Sequence, residues 1–389
     1  MKKSRAYIII ACAIVAAAAA IIVIKHNQNK ADKKDYVKVG IEEAFDVSEL
    51  EGKEYDNLKF PEHISINKPE AVYTGKIYCP DYTELNSSKQ VNVFKKMIQT
   101  GNIDKKFNSD NIVESSKWYP YGAMYEDDEV YISMGCTGFF TSYIGEDRYG
   151  INEDYTIIKT YDLESDYEDD VYELSEGKIS ISDAQKLADE HANEYMKMLG
   201  YDGKFKAVVI EILENEKVGK FCRAIYQNVI YDTGTVNVVN EYHNDGDIEY
   251  APLLGNECYI YGAKEQNVRF TTFNQVVLPY QEPDNIENMI SVSDAVLLLH
   301  NKLSSEKKYT VRSVGIEYMT KNTDFIDKDG KGKKHYDVIG EQGIAGWGAS
   351  YQVGNYWPCW AFHIDLGYRK EIVGYVDCVT GEIVFVYNQ

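Results

Sequence analysis

The sequence predicts an α+β protein: an N-terminal transmembrane helix, then an ectodomain of two related modules, each a helix lying on an antiparallel sheet. Three observations carry this expectation. Residues 7–24 form an uncharged apolar run of 18. The hexapeptide Ile179-Ser180-Ile181-Ser182-Asp183-Ala184 returns 111 residues later as Ile290-Ser291-Val292-Ser293-Asp294-Ala295. The chain also carries 33 tyrosines in 389 residues, and tyrosine suits half-buried strands because one end of the ring packs while the other stays wet.

A hydrophobic content of 44% supports ordinary packed cores, and the length suits two or three domains. The formal charge of -21 repels phosphate backbones, and no Lys/Arg cluster interleaved with aromatics overrides it, so nucleic acid is excluded as a partner.

At the start, Lys2, Lys3 and Arg5 lie in a cytoplasmic segment, residues 1–6, followed by the anchor at 7–24 and a mobile juxtamembrane stalk at 25–67. Eighteen apolar residues sit at the lower edge of what spans a bilayer. An uncleaved signal anchor is favoured, because Ile21 to Ile24 stay apolar where a signal cleaved within 16–20 would turn polar. Cleavage and lipid attachment at Cys12 are the alternatives. A basic start leading directly into an apolar segment is the form of a bacterial-type export signal. The expected location is therefore the cell membrane, single-pass, with the acidic body outside. Cys79, Cys136, Cys222, Cys258, Cys359 and Cys378 lie beyond the span with no CxxC or metal-ligand spacing, an even set that permits disulfides there.

An N-terminal α+β region covers 68–170. It holds a helix at 88–98, with Val91, Phe94, Met97 and Ile98 on one face, and a hairpin of 130–134 with 139–144 around Gly135 and Gly138. The first module, 171–283, opens on the helix capped by Ser180 and carries Ala184, Leu187, Ala188, His191, Tyr195, Met198 and Leu199 along one side. Strand-like runs follow at 205–213 and 221–231. The second module, 284–389, opens at Ser291 with Ala295, Leu298, Leu299 and Leu303, and has strands at 310–319 and 358–366. The Gly-rich, charged stretch 322–356 between them reads as a surface loop.

The Ile-Ser-x-x-Asp-Ala helix start, Trp360-Ala-Phe and Tyr375-Val-Asp377-Cys-Val-Thr380-Gly381-Glu382-Ile383 together resemble the PepSY module across the second copy. The first copy lacks the terminal Asp-x-x-Thr-Gly-Glu pattern. The tethered layout with a Trp-rich late strand is similar to the YycH/YycI regulators, which act outside the membrane on a sensor histidine kinase. The resemblance implies a regulatory role without catalysis, exerted through contacts with another membrane or surface protein.

No nucleophile elbow, His-Glu-x-x-His, P-loop or dinucleotide fingerprint is present, and no cofactor is expected. Strand alternation places Cys359, Ala361 and His363 on one face, where a thiolate pair of Cys359 with His363 is the one catalytic option. A hairpin joining 359–366 to 371–379 brings Cys359 close to Cys378 for a disulfide, and a slip of one residue forbids it. Asp327-Lys-Asp329-Gly330 fails the calcium-loop pattern, because Phe325 and Tyr336 stand where ligands are needed. The acidic run 162–173 reads as a solvated loop able to attract Ca²⁺ weakly. Trp347, Tyr351, Tyr356, Trp357 and Trp360 form the expected partner-contact surface. Regulation demands a broad patch, a cell-wall or glycan-binding alternative demands a narrow aromatic trough, and catalysis demands a concave site where His363 approaches a free thiol or a carboxylate.

Overall fold

The computed structural model describes residues 37–389 except 56, 65, 67, 79–86, 101–106, 115–122, 135–139, 146–154, 165–166, 202, 239–252, 255, 274–275, 327–331, 334–350, 366–370 and 389. Residues 39–389 form one compact unit, which holds both large sheets.

The first elements are β1 (Lys38–Gly40), α1 (Ile41–Ala44), β2 (Glu54–Tyr55), β3 (Leu58–Lys59), β4 (Tyr73–Tyr78) and α2 (Ser87–Thr100). There follow β5 (Ile112–Glu114), β6 (Ala123–Glu126), β7 (Val130–Met134), β8 (Phe140–Ile144), β9 (Thr156–Asp162), β10 (Val171–Leu174), β11 (Gly177–Ser180) and α3 (Ile181–Leu199). The middle of the chain supplies β12 (Lys204–Asn215), β13 (Gly219–Ile230), β14 (Thr233–Gly234), β15 (Asn237–Val238), β16 (Leu253–Leu254), β17 (Asn256–Ile260), β18 (Val268–Phe273), β19 (Leu278–Asn285) and β20 (Asn288–Ile290). The last part is α4 (Val292–Lys302), β21 (Tyr309–Ile326), β22 (Gly332–Lys333), β23 (Tyr351–Asp365), β24 (Glu371–Asp377) and β25 (Ile383–Asn388).

Ten strands form the first sheet, in the order β5-β6-β7-β8-β18-β17-β13-β12-β9 with β14 attached to β13. Nine form the second, along β19-β4-β23-β21-β3-β2, with β24 and β25 continuing from β23 and β22 on β21. The chain is thus mostly β-sheet, which corrects the expected α+β class of two helix-on-sheet modules. The signal that misled is the stretch 322–356. β21 runs to Ile326 and β23 begins at Tyr351, so extended backbone enters the segment from both ends. Its glycines and charges hide a ladder held by main-chain hydrogen bonds, with no apolar alternation to announce it.

The two repeat sequences do start helices, for the expected reason. Ser180 Oγ accepts from the Asp183 amide and Ser291 Oγ from the Asp294 amide, each at 3.1 Å, and each acid lies at the positive end of its helix. Ala184, Ala188 and Ala192 give α3 a small-residue face buried with Ala207, Ile210 and Ala224 of β12 and β13. Gly200, at φ 82°, ends α3 in the left-handed conformation. The long strands that follow the two helices enter different sheets: β12 and β13 the first, β21 and β23 the second.

The expected mobile stalk is corrected over its described part. Ala44, Leu50, Leu58 and Phe60 are buried, and β3 pairs in parallel with β21. The membrane reading is corrected as well: among the described residues no helix is long and apolar enough to cross a bilayer. The run 7–24, on which the anchor, the signal-anchor reading and the cell-surface location rested, lies outside the described residues.

Candidate functional site

The site is built from alternation on three neighbouring strands of the second sheet. In the β21/β23 ladder Ser313 faces His363, Gly315 faces Ala361 and Glu317 faces Cys359. In the β23/β24 ladder His363, Ala361 and Cys359 face Val373, Tyr375 and Asp377. Every second side chain points the same way, so these nine residues make three rows on one sheet face. Part of that face is dry, where Val236 packs against Met319, Cys359, Ala361, Val373 and Tyr375. The Val236 amide donates to the Tyr318 carbonyl at 3.0 Å, and Thr235 bridges Tyr318, which seams the two sheets together.

Beside this seam lies a cleft of about 90 Å³. Pro69, Glu164, Lys206, Gln227, Thr233 and Gly234 bound it on one side, and the 313–317 segment of β21 with His363 on the other. Gly315 makes the opening: a Cβ built there would meet nothing within 4 Å. A strand-interior glycine costs stability, so one facing empty space marks a place where another group can approach the backbone.

At the floor stands Glu317, only 4% exposed. Its Oε1 lies 3.1 Å from His363 Nε2, and its Oε2 accepts from the Tyr375 hydroxyl at 3.0 Å. A carboxylate only accepts, so the Nε2 proton of His363 points at Glu317. A buried carboxylate unsupported by donors would cost several kcal/mol, and these two bonds make it tolerable. The geometry fixes the imidazole and gathers an acid, a histidine and a phenol at one end of the cleft.

The rim is strained. β13 turns into β14 through Tyr231 and Asp232, both in the left-handed region at φ 46° and 66°. A two-residue hairpin loop with two positive φ values is the type I′ turn, which favours Asn-Gly. Neither residue is glycine here, and Asp232 borders the cleft. Nearby cations are already engaged: Lys206 Nζ meets Glu164 Oε1 at 3.0 Å, and Arg312 Nε meets Asp162 Oδ2 at 3.1 Å.

The expected contact aromatics are placed differently. Trp360 is fully buried, its Nε1 donating to the Ile290 carbonyl at 2.8 Å and its ring 4.8 Å from that of Phe45. Tyr356 is buried edge-on to Tyr318 at 4.8 Å. These two are core residues, and only the half-buried Trp357 could contribute to a surface. Tyr351 begins β23, its side chain outside the described set, and Trp347 lies outside the described residues altogether.

The Cys359/Cys378 bridge is corrected. Cys359 pairs with Asp377, one residue short of Cys378, which turns the two side chains to opposite faces, and both are buried and outside any disulfide. Cys359 and His363 do share a face, but four residues of extended strand separate them by about 13 Å. His363 Nε2 instead meets Glu317, which reaches it diagonally from the neighbouring strand. The described carboxylates of the acidic run 162–173 are engaged by protein groups: Asp170 meets Lys159 at 2.6 Å, Glu173 meets Lys178 at 3.0 Å, and Asp169 accepts from both the amide and the hydroxyl of Ser182 at 2.8 Å. Among the described residues no group of three or more His, Cys, Asp or Glu side chains is arranged to hold a metal. The 327–330 motif lies outside the described residues.

Sequence reasoning missed Glu317, Tyr375 and Gly315. The signal was present in Val314-Gly315-Ile316-Glu317-Tyr318, where a glycine and a glutamate two apart interrupt an apolar run on the same strand face.

No protein-family model matches the chain, and no curated protein matches it. Among solved structures, an uncharacterized protein from Eubacterium rectale ATCC 33656 is similar, with a TM-score of 0.51 and 14% identity, over 85% of this chain and 91% of that one. At that identity the likeness concerns the fold alone, and it extends over most of both chains.

Proposed function

We propose that the protein acts by binding rather than catalysis, in contact with another protein, and that the cleft over Gly315 receives one protruding group of that partner. The observation that carries the reading is the empty space above Gly315, ending on Glu317 and bordered by a strained turn. Strain kept at a rim where Asn-Gly would serve better is the mark of a functional constraint. The cleft's 90 Å³ is well below the roughly 300 Å³ and more of pockets that enclose whole small molecules, so its size suits the tip of a side chain or a chain terminus. The PepSY and YycH/YycI resemblance lends the same direction, a role exerted through protein contacts. A glycan-binding trough at Tyr356 and Trp360 is disfavoured by their burial.

The second reading is catalysis, favoured by one observation: His363 approaches a carboxylate in a concave site, at 3.1 Å from Glu317. The two readings separate on one experiment. A photoreactive phenylalanine replaces Pro69 in the full chain, which is irradiated in the source cells with and without Gly315→Val. Binding through the cleft gives a discrete protein adduct that Gly315→Val abolishes. An adduct pattern indifferent to Gly315→Val contradicts it.

A further inference from the structure

Resting on the reading that the cleft is a contact site, we infer that the group it accepts is a primary ammonium, of the kind that ends a lysine side chain. Three features select this chemistry. Glu317 is buried and accepts from two donors, Tyr375 and His363, which occupy two of the roughly four lone-pair positions of a carboxylate. Among the described residues no lysine or arginine reaches it: Lys206 is bound to Glu164 and Arg312 to Asp162. Glu317 is thus a desolvated acceptor with capacity left, and a charge-assisted N–H bond is worth most where water is excluded.

Shape agrees with charge. The approach to Glu317 passes over Gly315, where no side chain stands in the way, and the apolar Pro69 and Val229 border the cleft from the facing side. A thin alkyl stem with a charged tip matches such a passage, because a lysine stem packs on apolar surface while its head seeks acceptors. The planar guanidinium of arginine is wider and calls for a bidentate face, whereas both oxygens of Glu317 are already held by His363 and Tyr375. The whole-chain charge of -21 also raises the local concentration of cationic groups over that of anionic ones.

The test uses the full chain labelled with ¹⁵N-glycine, with n-butylammonium as the probe of the lysine tip and acetate and butanol as controls. Butylammonium moves the Gly315 and Gly234 amide signals saturably, and the controls do not. In Glu317→Gln the Gly234 shift requires about tenfold more amine or vanishes. Gly315→Val, whose new side chain enters open space, removes the Gly234 response in a chain that folds normally, so the inference does not depend on Glu317→Gln remaining folded. A wild-type chain unmoved by butylammonium, an equal response to acetate or butanol, or a response that survives in both variants overturns it. If the amine response is absent while the Pro69 photoadduct still depends on Gly315, the ammonium assignment fails and the contact site stands; loss of both removes both.

Discussion

Glu317 Oε1 and His363 Nε2 lie 3.1 Å apart across two strands, at the end of a cleft that a glycine holds open. They are 46 residues apart in the chain, and their meeting depends on the β21/β23 register that sets Ser313 opposite His363 and Glu317 opposite Cys359. A slip of one residue would send Glu317 to the far face and dissolve the site.

Removing that carboxylate leaves the buried Tyr375 hydroxyl and the His363 Nε2–H without their acceptor. Glu317→Ala is expected to lower unfolding stability by about 2–3 kcal/mol, and Tyr375→Phe by about 1–2 kcal/mol. Urea unfolding monitored by tyrosine and tryptophan fluorescence measures both. A loss under about 0.5 kcal/mol for Glu317→Ala would mean that the bonds are not made in solution.

The rim turn yields the opposite sign. Asp232 holds φ 66° with its side chain well exposed, and its ion pair with Lys204 at 3.3 Å is a surface contact of little worth. Asp232→Gly should therefore stabilise the chain by about 0.5–1 kcal/mol through relief of the left-handed strain. Thermal unfolding checks this, and destabilisation would show that the turn conformation is not the strained one.

Two glycines distinguish a packing role from a binding role. A Cβ at Gly374 would lie 2.5 Å from Leu299 Cδ1 of α4, so Gly374→Ala forces the buried Leu299 side chain to shift at a cost of about 1–3 kcal/mol. Gly315→Val meets open space and places a β-branched residue in a strand, with stability unchanged or raised. Parallel denaturation curves of the two variants should diverge in these directions.

The thiols should be silent in the folded chain. Burial pushes the Cys222 thiol up to about 12, and burial next to the Asp377 carboxylate pushes Cys378 well above its ordinary value. Iodoacetamide at neutral pH, with peptide mapping by mass spectrometry, should leave Cys222, Cys258, Cys359 and Cys378 unmodified until denaturant is added. A Cys359–Cys378 crosslinked peptide under non-reducing conditions would contradict the register.

Asp169 gives a pH prediction. The Ser182 amide and hydroxyl hold its carboxylate below the usual range, so its folded value is depressed relative to the unfolded one. Its contribution is present above the unfolded value near 3.8 and is lost as pH falls through the lower folded one. The protection factors of the amides in the first turn of α3, taken relative to their intrinsic exchange rates, should therefore fall as pH drops below about 4, and Asp169→Asn should remove that dependence. An unchanged profile in the variant would assign it elsewhere.

Much of the local structure was legible. Ser180 and Ser291 announced two helix starts because a capping hydroxyl is a short-range device. The helix at 88–98 appears as α2, and the hairpin of 130–134 with 139–144 appears as β7 paired with β8. The global class was not legible, because pairing partners in these sheets are distant: β4 joins β19 and β23, and β3 joins β21. Trp360 and Tyr356 read as a contact surface since aromatics beside glycines suggest exposure. Their burial depends on Phe45 and Tyr318, which local sequence does not connect to them. The site itself was half legible: His363 was singled out, but with a same-strand cysteine about 13 Å away rather than its cross-strand acid.

The measurement that bears most directly on the central claim is the yield of the Pro69 photoadduct in wild type and Gly315→Val, taken with the unfolding midpoint of each. Loss of the adduct at an unchanged or higher midpoint is the expected result, since the substitution narrows the cleft at a position where an added Cβ meets nothing within 4 Å. An undiminished adduct in a chain of unchanged stability would contradict the claim that the cleft over Gly315 is where this protein meets its partner.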